Sequence, residues 1–190
     1  MKNKFEMRFT GSGGQGVILA SVIFAEAAIV RGLNAVQSQA YGPEARGGSS
    51  KAECIISRDP IWFSKVQDND FLLALTQKAL EKYAPELAKR GVAMIDESMT
   101  APDCLDPESV VSVPILRCAR ETVGKAITAN IVAVGAINAL LGLFDEDILR
   151  EAVSRHIPAG TEELNFRALA AGRDLIGPEL RDKYLTEKSI

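Results

Sequence analysis

The sequence predicts a single-domain α/β fold over residues 1–190: a mostly parallel, Rossmann-like sheet with helices on both faces. Three observations lead there. A strand, a glycine-rich turn and a helix run together from Met7 to Val30. Apolar runs of strand length then alternate with helical spacing along the rest of the chain. Finally, 190 residues that are 47% apolar and 25% charged suffice for one substantial core and are short for two.

Met7-Arg8-Phe9-Thr10 alternates like a strand and breaks into Gly11-Ser12-Gly13-Gly14-Gln15-Gly16, after which helical spacing holds from Val17 to Val30. Gly32 supplies a stop, and Ala35–Ser38 forms the next short strand, so the order strand, helix, strand points to parallel pairing. Residues 41–50 crowd glycine and proline around Glu44 and Arg46 and read as an ordered loop before a strand at Ala52–Ser57. Phe71–Leu75 is continuously apolar, as in a central strand covered on both faces. A helix is expected over Gln77–Lys89, stopped by Gly91, then a strand at Val92–Ile95 ending at Asp96. Val110–Val113 is a further strand, and Glu121–Leu141 a long apolar helix rich in alanine and glycine. Asp145 and Thr161 are placed to cap helices over Glu146–Arg155 and Glu162–Leu175. A charged tail is expected at about 180–190, and no internal repeat or linker is visible.

Composition excludes several classes of function. A net charge of -3 offers no basic face for nucleic acid. The start lacks a signal-peptide core because Glu6 and Arg8 interrupt it, and the apolar stretch Ile131–Phe144 falls short of the roughly 20 residues that cross a bilayer. A cytoplasmic protein without a membrane partner is expected. Cys54, Cys104 and Cys118 form no CxxC, and a conventional iron–sulfur cluster takes four thiolates, so no complete cluster is expected here. His156 is the only histidine and stands near a helix end, where dipole contact suits it better than metal ligation; no metal site is predicted. Asp96, Glu97 and Asp103 read as solvated loop charge, Cys54 as core, and Trp62 with Phe63 as core or subunit contact.

Gly11, Gly13, Gly14 and Gly16, with Gln15 among them, sit where a backbone must approach a ligand or another backbone closely, beside a helix start whose free N–H groups favour an anion. The pattern alone leaves a packing turn and an anion-binding turn equally open. Neither common nucleotide motif is completed. Gln37-Ser38-Gln39-Ala40 lacks the acid that binds a ribose, and Val17-Ile18 stand where a P-loop carries Lys and Ser or Thr. A second unusual segment, Tyr41-Gly42-Pro43-Glu44-Ala45-Arg46-Gly47-Gly48, suggests a loop shaped for recognition; Arg46 suits a carboxylate or phosphate, or a pair with Glu44 or a partner's acid.

These two segments together, at this separation, resemble the gamma-subunit family of pyruvate, 2-oxoglutarate and related 2-oxoacid:ferredoxin oxidoreductases. The likeness continues through Lys51–Ser57, Thr128-Ala129-Asn130-Ile131 with Gly135, and Glu163-Leu164-Asn165-Phe166 with Ala168 and Gly172, covering nearly the whole chain. The stretch from Gln39 to Ser57 is most similar to the 2-oxoglutarate branch.

The resemblance implies a subunit of an enzyme that converts a 2-oxoacid and coenzyme A to acyl-CoA and carbon dioxide while reducing ferredoxin. It places thiamine diphosphate, Mg2+ and 4Fe-4S clusters on alpha and beta subunits or a ferredoxin-like delta subunit. No cofactor is expected to stay on this chain alone, which is expected to be inactive in isolation and able to self-associate. Gly11, Gly13, Gly14, Gln15 and Gly16 would contact an anion or coenzyme A. Tyr41, Gly42, Pro43, Glu44, Arg46, Gly47 and Gly48 would form an active-site wall or partner contact, with Asn130 as a further binding residue and no catalytic residue on this chain. Two competing readings stay open: a free-standing nucleotide- or flavin-binding protein, and a purely structural subunit.

Overall fold

A computed structural model describes residues 3–40 and 49–188. Six strands form one sheet in the order β2-β3-β1-β4-β5-β6. In sequence they are β1 (Lys4–Ser12), β2 (Asn34–Ala40), β3 (Ser49–Ser57), β4 (Asn69–Ala74), β5 (Leu87–Asp96) and β6 (Val110–Val113). Pairings of β1 with β4, β4 with β5, and β5 with β6 are parallel, while β3 runs antiparallel to both β1 and β2. The first βαβ unit therefore keeps β1 and β2 parallel in direction but not adjacent, because β3 inserts between them. Ala40, Lys51 and Thr10 lie in one row, so β1 and β2 both end at the same edge of the sheet.

Register divides the side chains cleanly. Phe5, Met7 and Phe9 share one face with Cys54 and Ile56, Phe71 and Leu73, Val92 and Met94, and Val111 and Val113. Over this face lie α1 (Val17–Val30) and α4 (Ala129–Leu141), backed by α5 (Glu146–His156), α6 (Glu162–Asp174) and α7 (Pro178–Lys188). Phe24 of α1 is fully buried, its ring 5.7 Å from Phe9 and 6.2 Å from Phe144. The opposite face is covered over β4 and β5 by α2 (Gln77–Tyr83), which buries Leu80 and Tyr83 against Leu72, Ala74, Ala93 and Ile95.

Several expected boundaries shift for local reasons. The helix expected over residues 77–89 ends at Tyr83 and gives way to a 3-10 turn at Ala84–Glu86. Pro85 lacks the N–H that would continue the helix and its ring crowds the preceding turn, so Leu87 already begins β5. The helix expected from Glu121 is interrupted. A short α3 (Ile115–Arg117) runs into a π turn at Cys118–Thr122, Gly124 takes φ +82°, and α4 begins only at Ala129. Helices α5 and α6 start where expected, but neither expected capping bond forms. Asp145 caps with no side-chain bond, and Thr161 Oγ1 instead donates to the Pro158 carbonyl and accepts from Asn165. The expected charged tail is largely the helix α7.

Helices α4 and α6 approach through facing glycines. A Cβ on Gly135 would lie 2.1 Å from the Leu169 carbonyl oxygen, and one on Gly172 would lie 1.9 Å from that of Val132. Only a missing side chain at both positions permits this spacing.

Candidate functional site

The glycine turn forms where β1 leaves the sheet at its carboxyl edge. Gln15 organises it: its Oε1 accepts from Ser12 N at 2.6 Å, and its Nε2 donates to the Leu75 carbonyl at 3.2 Å. One amide side chain thus ties the turn to the end of β4. Gly11 makes room for it, since a Cβ there would lie 2.5 Å from Gln15 Oε1. Gly16 caps α1 with φ +69°, a left-handed conformation that penalises any Cβ, and a Cβ would also meet Asn130 Nδ2 at 2.5 Å. Asn130, 6% exposed in the first turn of α4, donates weakly to the Gly16 carbonyl at 3.5 Å.

One of the glycines, Gly13, has no such internal reason, and Gly14 has only its backbone, at φ +86°. Gly13 and Gly14 are exposed, and a Cβ on either would meet nothing within 4 Å. Neither α1 nor α4 has a side-chain cap or an acid in its first turn; the start of α1 keeps N–H groups and a positive dipole end free of a local anion, whereas the Ala129 N–H that opens α4 is taken by the Ala126 carbonyl of the preceding 3-10 turn. The structure brings Gly11–Gly16 and Asn130 together, an association that no spacing in the sequence reveals. Tyr41, Gly42, Pro43, Glu44, Arg46, Gly47 and Gly48 lie outside the described residues. The strand ends on either side of them, Ala40 and Ser49, stand beside the row of Thr10 to Ser12.

This arrangement can hold an anionic group against backbone N–H groups, and Gly11–Gly16 and Asn130 bring no ionisable side chain to it. No group of three or more His, Cys, Asp or Glu side chains capable of holding a metal occurs among the described residues. Cys54 and Cys118 are buried and Cys104 is exposed, with burial pushing the Cys54 thiol up to about 12. These thiols do not fit a cluster. A cavity of about 290 Å³ lies elsewhere, between α4, α5, α6 and α7; its Arg173 is engaged by Glu146 and Asp174, and Arg181 donates to the Arg173 carbonyl.

Asp96 corrects an expectation: it is 2% exposed rather than solvated, accepting from Ser98 N and Oγ and from Leu116 N at 2.8 Å. It pins the start of α3 to the end of β5. Trp62 and Phe63 are not core, being 93% and 55% exposed. His156 ends α5, and its Nε2 lies 3.4 Å from Glu26 of α1.

A buried charged network on the second face of β1 and β3 was not foreseen. Arg8 binds Glu53 through Nε at 3.0 Å and Glu86 through Nη1 at 2.5 Å, with its guanidinium 5.5 Å from the Tyr83 ring centre. Lys51 also reaches Glu53, and Lys4 reaches Glu6. Burial alone would raise the Glu53 pKa, but Lys51 and Arg8 outweigh it and hold the carboxyl below its usual range. The alternation of Glu6, Arg8 and Thr10 carries the only sequence signal, and alternation alone reads as a solvated strand face.

Residues 6–175 match the family described as pyruvate ferredoxin/flavodoxin oxidoreductase. The chain belongs to this family. Among relatives, it is 40% identical over 178 residues to the 2-oxoglutarate synthase subunit KorC of Methanocaldococcus jannaschii, covering 92% of this chain and 95% of that one. The family's gamma-subunit architecture is also shared with the keto/oxoacid ferredoxin oxidoreductase gamma subunit of Geobacter sulfurreducens, at 42% identity and a TM-score of 0.80, covering 92% of this chain and 97% of that one. A third relative, the ketoisovalerate oxidoreductase subunit VorA of Methanothermobacter thermautotrophicus, is 36% identical over 88% of this chain but only 35% of its own length. In that member the same domain is part of a much longer chain.

Proposed function

We propose that this chain is the gamma subunit of a 2-oxoglutarate:ferredoxin oxidoreductase, which converts 2-oxoglutarate and coenzyme A to succinyl-CoA and carbon dioxide while reducing ferredoxin. The observation that carries this reading is the near end-to-end likeness to the 2-oxoglutarate synthase subunit. Partner alpha and beta subunits hold thiamine diphosphate, Mg2+ and the clusters, with or without a ferredoxin-like delta subunit. Thiamine diphosphate supplies the electron sink for decarboxylation, and none of that chemistry falls to residues of this chain.

The contribution of this chain is to bind and orient. The exposed backbone of Gly13 and Gly14 and the uncapped start of α1 receive an anionic group, for which a phosphate of coenzyme A is the natural occupant. Gln15 and Asn130 hold the turn in shape from beneath. We assign to the Tyr41 to Gly48 segment, with Arg46, the wall of the same site or a partner contact, a reading supported by the flanking strand ends Ala40 and Ser49 beside the glycine turn. The absence of an acid at the end of β2 argues against a nicotinamide ribose at this turn.

Co-expression with the genomic neighbours, purification through this chain, and an assay of coenzyme A-dependent dye reduction with 2-oxoglutarate and pyruvate in parallel test the reading. Faster reduction with 2-oxoglutarate by a complex containing thiamine-binding subunits is expected. Purification of the chain alone with a bound nucleotide or flavin, and no such activity, would overturn it.

A further inference from the structure

We infer that the segment between β3 and β4 is a docking surface for a catalytic subunit of the assembled enzyme, with Trp62 and Phe63 seating in an apolar pocket rimmed by carboxylates. The inference rests on the gamma-subunit reading and adds to it the place and chemistry of one interface.

The segment is a built strap. At one end Arg58 N donates to the Asn3 carbonyl at 3.0 Å, Asp59 N to Ser57 Oγ at 3.0 Å, and Asn3 Nδ2 to Asp59 at 3.1 Å. At the other, Gln67 N and Asp68 N both donate to Glu6 Oε2, at 2.6 and 2.9 Å, and Val66 N reaches Glu53 Oε2 at 3.5 Å. Glu6 and Glu53 are buried, so their carboxylates fix the strap to the sheet from below. Its middle is thus held in place before any partner arrives, which lowers the ordering cost of binding.

That middle presents Pro60, Trp62 and Phe63 to solvent, with Trp62 93% exposed. An indole gains nothing from this position in an isolated chain, because its apolar surface stays in water. Tryptophan on a rigid support is the residue type that most often dominates an interface. Arg58 and Lys65 bracket the aromatic pair in sequence, both exposed, and among the described residues neither side chain has an acidic partner. Two cations left without an acidic partner among the described residues, beside an apolar pair, complement an apolar pocket with an acidic rim.

The size and setting agree with a large partner. Two aromatic side chains bury about 150–250 Å² each, against about 800 Å² per partner in a stable interface, so the pair forms its centre rather than its whole. In the relative of which the matched domain fills 35%, that domain is part of a larger chain, a setting that favours a large partner here.

The test uses the co-expressed complex and the purified chain, comparing wild type with W62S/F63S and R58E/K65E in titrations against the thiamine-binding subunits. Both aromatic rings are exposed, so the thermal midpoint of W62S/F63S should match wild type. Its affinity should fall about 100-fold or more. R58E/K65E should associate more slowly and lose most of the dependence on salt. Unchanged affinity in W62S/F63S overturns the inference while leaving the gamma-subunit reading intact. A wild-type dimer of this chain that W62S/F63S alone disrupts, with partner binding unaffected, assigns the surface to a second copy and also overturns it. Failure of the wild type to bind any thiamine-dependent subunit overturns the gamma-subunit reading itself, and the inference with it.

Discussion

Individual residues of the glycine turn divide by what holds them to glycine. Gly16 is required twice, by φ +69° and by Asn130 at 2.5 Å from its missing Cβ. Gly16→Ala should cost about 2–3 kcal/mol in urea unfolding, but about 1–2 kcal/mol in an Asn130→Ala background, where the amide is gone and the backbone penalty and a tight 3.1 Å contact with the remaining Cβ survive. Gly13 is different, because neither its backbone nor its surroundings need glycine. Gly13→Ala should leave stability unchanged or raise it by about 0.5 kcal/mol, through a less flexible unfolded chain. In the assembled enzyme the same substitution should raise KM for coenzyme A with little change in kcat, the pattern of lost uniform binding. An unchanged KM would show that the turn serves packing alone.

Among the elements, the α4–α6 pair is set by the missing side chains of Gly135 and Gly172 rather than by interlocking large residues. A methyl group at either position meets a backbone carbonyl, which cannot rotate away as a side chain can. Gly135→Ala and Gly172→Ala should therefore each lower stability by about 2–3 kcal/mol. Near-native far-ultraviolet circular dichroism should persist, because the strain lies between helices and not within them. A variant as stable as wild type would mean that the helices slide apart without cost.

Across the whole molecule, one face of the sheet is held by apolar packing under α1 and α4, and the other by a smaller apolar cluster under α2 beside buried ion pairs under the strap. Glu53 has a folded pKa below its ordinary value of 4.5, so its contribution is fully present above that value and is lost as pH falls through the lower folded one. Glu53→Gln should cost about 3 kcal/mol at neutral pH by leaving Arg8 short of a buried partner, and its deficit against wild type should shrink on acidification below 4.5. Urea midpoints of both proteins across that range check the sign. Much of this architecture was legible from the chain alone. Strand and helix periodicity located α1, β4, β6 and the starts of α5 and α6, and the paired glycine segments carried the family. Periodicity is local, however, and three features depend on contacts between residues far apart. The insertion of β3 between β1 and β2 is a pairing choice that no helix or strand period encodes. Asn130 meets Gly16 across 114 positions, and Arg8 meets Glu53 and Glu86 only once the sheet and the 3-10 turn close over them. The sequence by itself determined the layers and the glycine turn, because backbone preference and apolar spacing act over a few residues; tertiary structure alone decided which charges are buried and which aromatics are left outside, because burial is a property of the assembled surface.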